Sequence, residues 1–400
     1  MENAVSITED LYYLGASDRR IALFESAFPV PRGVSYNSYL LKDEKTVLFD
    51  TVDAAVAEEF LHNLEGALGG KKLDYLIVHH VEPDHSASFA RVLQRYPDTA
   101  VIASAKAAVM LKNFFSYEGA SVVKEGDVLE TGKHRLRFLA APMVHWPEVL
   151  FTYDETAGTL FSADAFGTFG ALGGSIFADE VHFERDYLDD ARRYYFNIVG
   201  KYGVQVQNVL KKAAAFELKT VCPLHGPVWR KDFAWYLQKY DLWSKYLPET
   251  QGVALFYASV YGHTQNAAEI LAAAIAAEGV KNIAVYDVSV TDKSVLLAEA
   301  FRYSHVVFLS PTYNNGIFVN MEDFLRDLCA HGYCNRRYAL AENGSWAPQA
   351  ARLMQETLSS LKGMQKIGNS VSVLSAVTRE NAQELKTLAH EIAQSFDEQI

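Results

Sequence analysis

The run LDYLIV at 73–78 is apolar and branched, and it reads as a buried strand. It runs straight into HHVEPDHSAS, from His79 to Ser88, where residues 79–85 hold three histidines, a glutamate and an aspartate. A core strand that ends in a burst of ionisable groups leaves two readings. One is a solvated loop. The other is a metal site, because imidazole and carboxylate are the side chains that bind borderline and hard cations.

The strand belongs to a first region, residues 1–246, that mixes short strands with helices. NSYLLKDEKTVLFDT (37–51) predicts a hairpin turning at Asp43-Glu44, and VLFTYDETAGTLFSAD (149–164) another turning near Glu155–Gly158. Helical spacing covers 54–68, 185–216 and 231–246. LPETQG (247–252) reads as a linker, with Pro and Gly breaking the pattern. In 253–400 the rhythm changes. Strands are expected at 253–259, 282–288, 304–310, 337–343 and 370–376, with helices between, which describes a doubly wound parallel sheet.

Composition narrows the partners. A net charge of −12 argues against nucleic acid and anionic membranes, which are bound through basic surface. The three cysteines, Cys222, Cys329 and Cys334, include no Cys-x-x-Cys pair, so no four-cysteine iron site and no disulfide framework is expected. MENAVSITEDLYYLG has neither a basic segment nor an apolar core of a signal peptide, and no apolar run approaches the roughly 20 residues of a membrane span. A cytoplasmic chain is the expectation.

Three further segments carry candidate ligands past apparent strands: His145 after LRFLAAP (136–142), Asp164 at the end of TLFSAD, and His225 after TVCPL. Each alone reads equally as a capped or solvated polar group. With His80, Glu82, Asp84 and His85 they form the order His-x-Glu-x-Asp-His, His, Asp, His. This order resembles the metallo-β-lactamase-like αββα fold and, more narrowly, the flavodiiron proteins. Hydrolases of that fold carry His-x-His-x-Asp-His and bind zinc. Glu82 replaces one imidazole by an oxygen anion, which suits a pair of iron ions and their ferric state. The resemblance implies that His80, Glu82 and His145 hold one iron, that Asp84, His85 and His225 hold the other, and that Asp164 bridges. His79 fits the spacing less well and is expected to be supporting or structural. Ser86-Ala87 departs slightly from the family, which commonly has a small residue and Gly there.

In the second region, Ser259-Val260-Tyr261-Gly262-His263-Thr264 lies between a strand and a helix. Hydroxyls, glycine and helix-terminal N–H groups there make a cradle for phosphate. Thr312, Tyr313, Asn314, Asn315 and Gly316 follow the strand at 304–310, and Gly344, Ser345 and Trp346 follow the strand at 337–343. All three loops would meet at one sheet edge. The arrangement resembles flavodoxin, with the first loop on the FMN phosphate and the others around the ring. Tyr261, Tyr313 and Trp346 are candidate stacking residues. No GxGxxG fingerprint is present, which favours FMN over a dinucleotide.

The resemblance covers the whole chain and implies the minimal two-domain form. It implies an oxidoreductase that reduces dioxygen to water, nitric oxide to nitrous oxide, or both. Electrons would come from an external donor such as a rubredoxin, a flavin reductase or a reduced deazaflavin. It also implies a head-to-tail homodimer, or a tetramer of two such dimers. An oxygen-binding sensor and a zinc hydrolase fused to a flavodoxin domain are the alternatives.

Overall fold

The computed structural model describes residues 4–397. The chain divides into two compact units, Met1–Asp241 and Leu242–Ile400.

The first unit is a sandwich of two sheets. One has seven strands in the order Val5–Ser6, Leu11–Tyr13, Tyr39–Lys42, Thr46–Phe49, Tyr75–Val78, Ala100–Ser104, Ser121–Val123. The other has five, in the order Val128–Glu130, Arg135–Ala140, Leu150–Asp154, Thr159–Phe161, Thr220–Cys222. Both expected hairpins form, with Lys42 opposite Thr46 and Asp154 opposite Thr159. The core lies between the sheets. Tyr39, Val47, Phe49, Ile77 and Ile102 from one meet Leu136, Phe138, Leu150, Phe161 and Cys222 from the other. Helices such as Ala57–Leu68 bury one apolar stripe, here Phe60, Leu61, Leu64 and Leu68.

The second unit is built on a mainly parallel sheet. Its strands run in the order Ile283–Asp287, Thr250–Tyr257, Tyr303–Tyr313, Arg337–Asn343, Gln365–Lys366, and Val371–Val373 also pairs with Arg337–Asn343. These pairings are parallel. The near-continuous apolar strands are covered on one face by helices His263–Ala277 and Arg379–Gln394, through Leu271, Ile275, Leu388 and Ile392. Helices Lys293–Arg302, Val319–Ala330 and Ala350–Ser359 also bury apolar side chains, among them Leu297, Phe324 and Met354.

Three sequence expectations differ from the structure. The long helical pattern at 185–216 is broken into Phe183–Asp186, Leu188–Tyr194, a π-helical turn at Tyr195–Val199, a 3-10 turn at Gly200–Tyr202 and Gly203–Ala213. Apolar side chains recur through all of these pieces, so periodicity alone does not register the extra residue of a π turn. The first strand of the second unit begins at Thr250, inside the expected linker, because Gly252 N and O both bond the Ser304 hydroxyl and Val253 N donates to Asn282 O. The strand expected at 370–376 is limited to Val371–Val373. Among the described residues no helix is long and apolar enough to cross a membrane.

Candidate metal centre and flavin loops

The seven expected ligands come together at strand ends of the first unit. His80, Glu82, Asp84 and His85 follow Tyr75–Val78, His145 follows Arg135–Ala140, Asp164 follows Thr159–Phe161, and His225 follows Thr220–Cys222. They fall into two groups, His80, Glu82, His145 and Asp164, and Asp84, His85 and His225, with the ligand atoms of each group within 4.8 Å of one another. Glu82 Oε2 lies 3.0 Å from both His80 Nε2 and His145 Nε2. Asp84 Oδ2 lies 3.3 Å from His85 Nε2 and 3.2 Å from His225 Nε2. Asp164 faces both groups. Its Oδ2 is 3.1 Å from His145 Nε2, and its Oδ1 is 3.0 Å from His85 Nε2.

Local structure holds these groups in place. The Thr51 hydroxyl and N–H both donate to His85 O, and the Ser86 hydroxyl donates to Val81 O at 2.6 Å, bracing the ligand loop. His225 Nδ1 donates to Ser35 O at 2.8 Å. The adjoining Gly226 has φ +75°, and a Cβ there would sit 2.3 Å from the Thr168 methyl, so the turn requires glycine. His79 points away from the ligands. Its Nδ1 meets Asp50 Oδ2 at 2.5 Å, its Nε2 meets the Thr152 hydroxyl at 2.7 Å, and its ring stacks on Phe49. Both ring nitrogens are thus taken by partners other than the candidate ligands.

The pocket suits cations. His85 Nε2 and His225 Nε2 are only 3.0 Å apart and both buried, so without a cation between them one of the two must carry a proton that they share. Both Asp84 oxygens and Asp164 Oδ1 accept no well-aligned hydrogen bond. Burial opposes charge on His80 and His145, yet Asp164 and the neighbouring carboxylates push both up, His145 to about 9. Against their own burial, Glu82 and Asp164 are held below the usual carboxylate range by the imidazoles. A metal pair between these groups replaces shared protons with coordination. Phe24, Tyr36 and Tyr194 pack their rings 5.5–5.8 Å from that of His225, and Trp146 packs 5.2 Å from that of His80, so aromatic rings line both imidazoles.

Three groups here escaped sequence reasoning. Glu148 accepts from His80 Nδ1 at 2.7 Å. The Tyr194 hydroxyl is buried with no hydrogen-bond partner, and its pKa is pushed up by burial and by Asp164. Glu25, on the Leu23–Phe24 and Phe28–Pro29 hairpin, brings a carboxyl to Glu82. Glu148 alone carried a signal: it is a lone acid in WPEVLF, three residues after a candidate ligand.

In the second unit the three expected loops follow the parallel strands Thr250–Tyr257, Tyr303–Tyr313 and Arg337–Asn343. Helix His263–Ala277 starts at Gly262, φ +87°, with no side-chain cap, so its leading amides are open to an anion. The Ser259 hydroxyl accepts from Gly262 N at 3.0 Å and shapes this turn. Thr264 is buried in the first helical turn, whereas Tyr261 and Trp346 are 89% and 80% exposed and Tyr313 49%. Asn314 and Asn315, both with positive φ, form a two-residue hairpin turn that pairs Tyr313 with Gly316. Thr312 is spent otherwise: its hydroxyl accepts from Gln349 N and Ala350 N and starts helix Ala350–Ser359. The Ser345 hydroxyl accepts from that of Ser375 at 2.9 Å. Open amides, adaptable polar groups and exposed aromatic faces are what a phosphate-bearing planar ring needs.

A β-lactamase-type sandwich followed by a flavodoxin-type sheet defines the class. Residues 34–226 match the family described as ODP family beta lactamase, and residues 255–394 match flavodoxin. The chain is 31% identical over 367 residues to a nitric oxide reductase of Moorella thermoacetica, covering 90% of this chain and 91% of that one. It is 29% identical to an anaerobic nitric oxide reductase flavorubredoxin of Aeromonas hydrophila, covering 89% and 72%. Among solved structures it superposes on rubredoxin oxygen:oxidoreductase of Desulfovibrio gigas with a TM-score of 0.92 at 28% identity, covering 98% of each chain. A flavo di-iron protein variant of Thermotoga maritima gives 0.89 at 26%, again covering 98% of each. The chain belongs to the flavodiiron protein family.

Proposed function

We propose that this chain is an oxidoreductase that reduces nitric oxide, dioxygen or both at a non-haem diiron centre, with electrons relayed through FMN. The observation that carries this reading is the paired ligand cluster, with Asp164 turned to both halves. His80, Glu82 and His145 would hold one iron, Asp84, His85 and His225 the other, and Asp164 would serve both. When bound, the irons supply Lewis acidity and single electrons, and FMN supplies paired electrons released singly. The chain's own residues do the rest. The braced ligand loop would hold the ligand atoms in place for the ions, and aromatic rings line His225 and His80. The loop of Ser259, Tyr261, Gly262, His263 and Thr264 would take the FMN phosphate, with Tyr261, Tyr313 and Trp346 as candidate stacking residues. Thr312, Tyr313, Asn314, Asn315, Gly316, Gly344, Ser345 and Trp346 surround the ring, with Thr312 acting by setting the backbone rather than as a free donor.

The domains are 1–246 and 253–400 about a short join, whose last residues, 250–252, already belong to the first strand of the second unit's sheet. The donor is external, a rubredoxin, a flavin reductase or a reduced deazaflavin, and the chain works in the cytoplasm. The active unit is a head-to-tail homodimer, or a pair of them, in which the FMN of one chain serves the irons of the other. A closed two-fold pairing makes two working sites from one contact. The test is anaerobic reduction of the iron- and FMN-loaded protein, followed by side-by-side measurement of oxygen and nitric oxide consumption. Catalytic loss of either gas supports the reading. Stoichiometric binding without turnover overturns it. Mixing a chain without iron with one without FMN restores activity after subunit exchange if the sites pair across chains.

A further inference from the structure

On the ligand assignment proposed above, the two irons have matched protein ligands. Each takes two imidazoles and one carboxylate of its own, and they share Asp164. What differs is what stands behind the imidazoles. Behind His225 is the neutral carbonyl of Ser35, 2.8 Å from Nδ1. His85 Nδ1 is buried with no partner at all. Behind His80 is the carboxylate of Glu148, whose Oε1 accepts from His80 Nδ1 at 2.7 Å and from Val81 N at 3.1 Å.

Glu148 is built into the molecule rather than placed there by chance. It is 1% exposed, and its backbone carbonyl accepts from the Ser104 hydroxyl at 2.8 Å. Its second oxygen, Oε2, is buried and accepts nothing. A buried carboxylate left half-satisfied is costly unless positive charge lies close by. Among the described residues, the ring of His80 is the only hydrogen-bond partner of this carboxylate that can carry such charge, and beyond that ring lies the candidate metal pocket. The Val81 bond marks Oε1 as an acceptor, so His80 donates from Nδ1 and turns the lone pair of Nε2 to the metal. A carboxylate on the far nitrogen also makes the imidazole a stronger electron donor. Glu25 approaches the same half of the site, but it does so through the Glu82 carboxylate and not through the far nitrogen of an imidazole.

We propose that Glu148 is a positioning residue whose charge, acting through His80, lowers the reduction potential of the iron held by His80, Glu82 and His145, so that this iron is oxidised first. In a titration with a one-electron oxidant, the first electron leaves the His80 iron and the second leaves its neighbour. The half-oxidised pair persists over the interval between the two steps.

Glu148→Gln keeps the shape of the side chain and an acceptor oxygen for His80 and Val81, and removes only the charge. The experiment is potentiometric titration of the FMN- and iron-loaded protein, with the half-oxidised pair followed by electron paramagnetic resonance. The expected result is that the variant retains two irons and unmoved FMN potentials. The constant for forming the half-oxidised pair falls at least tenfold, which is about 59 mV for a one-electron couple. Glu148→Asp, which keeps the charge, moves the constant back toward that of the unaltered chain. An unchanged or larger constant in Glu148→Gln overturns the proposal.

Should Glu148→Gln fail to hold iron, the unaltered chain loaded with zinc carries the test. Its His80 Nδ1 proton is expected far downfield of that of His225 in nuclear magnetic resonance, as a charge-assisted bond requires. Equal shifts overturn the proposal. Failure of the unaltered chain to bind an iron pair would instead remove the ligand assignment, so the two failures are distinct.

Discussion

Asp164 is 1% exposed and Trp346 is 80% exposed, although each stands just past the end of a strand. The contrast runs through the two sites. The metal pocket is made of charged side chains already buried and already aimed at one another. The flavin loops are made of backbone amides, small hydroxyls and aromatic faces left in solvent. Small, highly charged ions bind through a few short contacts, so their ligands must be fixed in advance. A planar organic group buries a large area, and its site can close around it through many weaker contacts.

The largest effect that can break this comparison is at the bridge. Asp164→Ala removes the one carboxylate that faces both halves of the pocket. Turnover is expected to fall by more than ~100-fold with loss of iron, since even residues behind the ligands are worth 10–100-fold in metal affinity. FMN content should be unchanged. Elemental analysis with flavin release on denaturation checks both. Retention of two irons at near-normal turnover would break the bridge assignment.

At the flavin loops a single truncation should matter far less. Trp346→Ala is expected to weaken FMN binding by about 0.5–1.5 kcal/mol, roughly 2- to 10-fold in Kd, the usual size of one aromatic stack. Fluorescence titration of flavin-stripped protein reads this directly, with iron content as the control. A loss as severe as that at Asp164 would mean that the loop is preorganised around tryptophan after all.

The smallest effect separates buried charge from metal chemistry. His134 is buried in the first unit between Asp154, 2.6 Å from Nδ1, and Asp10, 2.9 Å from Nε2. The bond to Asp154, aided by Asp10, raises its pKa from 6.5 to about 9. A raised pKa means that the folded chain holds the proton more tightly than the unfolded one. The stabilisation is therefore complete below about pH 6.5 and is lost as pH rises through about 9. The urea midpoint of the unaltered chain should drop between pH 7 and pH 10. That of His134→Gln should start lower and drop less. Equal pH profiles would show that this cluster adds nothing.

The same contrast explains what could be read from residues alone. The metal site is written in rare residue types at fixed spacing, His80-x-Glu82-x-Asp84-His85, and the folded chain brings all seven together. The candidate flavin site is written largely in main-chain geometry. Thr312 is the instructive case, since its hydroxyl looks like a free donor in sequence but is committed to Gln349 N and Ala350 N. Tyr194 was hidden for another reason. It precedes the π-helical turn at Tyr195–Val199, inside a stretch whose apolar periodicity reads as unbroken helix. His79 shows the limit of composition: it belongs to the same run as the ligands, yet both its ring nitrogens are taken by Asp50 and Thr152.

The candidate ligands are divided unevenly between the two layers of the sandwich. His80, Glu82, Asp84 and His85 extend from a strand of the seven-stranded sheet, and His145, Asp164 and His225 from strands of the five-stranded one. Ions held between them would act as rivets through two plates. Sliding or lifting one sheet from the other would first have to break metal–ligand bonds, which would couple metal occupancy to the mechanical integrity of the fold. Amides of Tyr75–Val78 and Thr159–Phe161 should then exchange with deuterium more slowly as metal concentration rises.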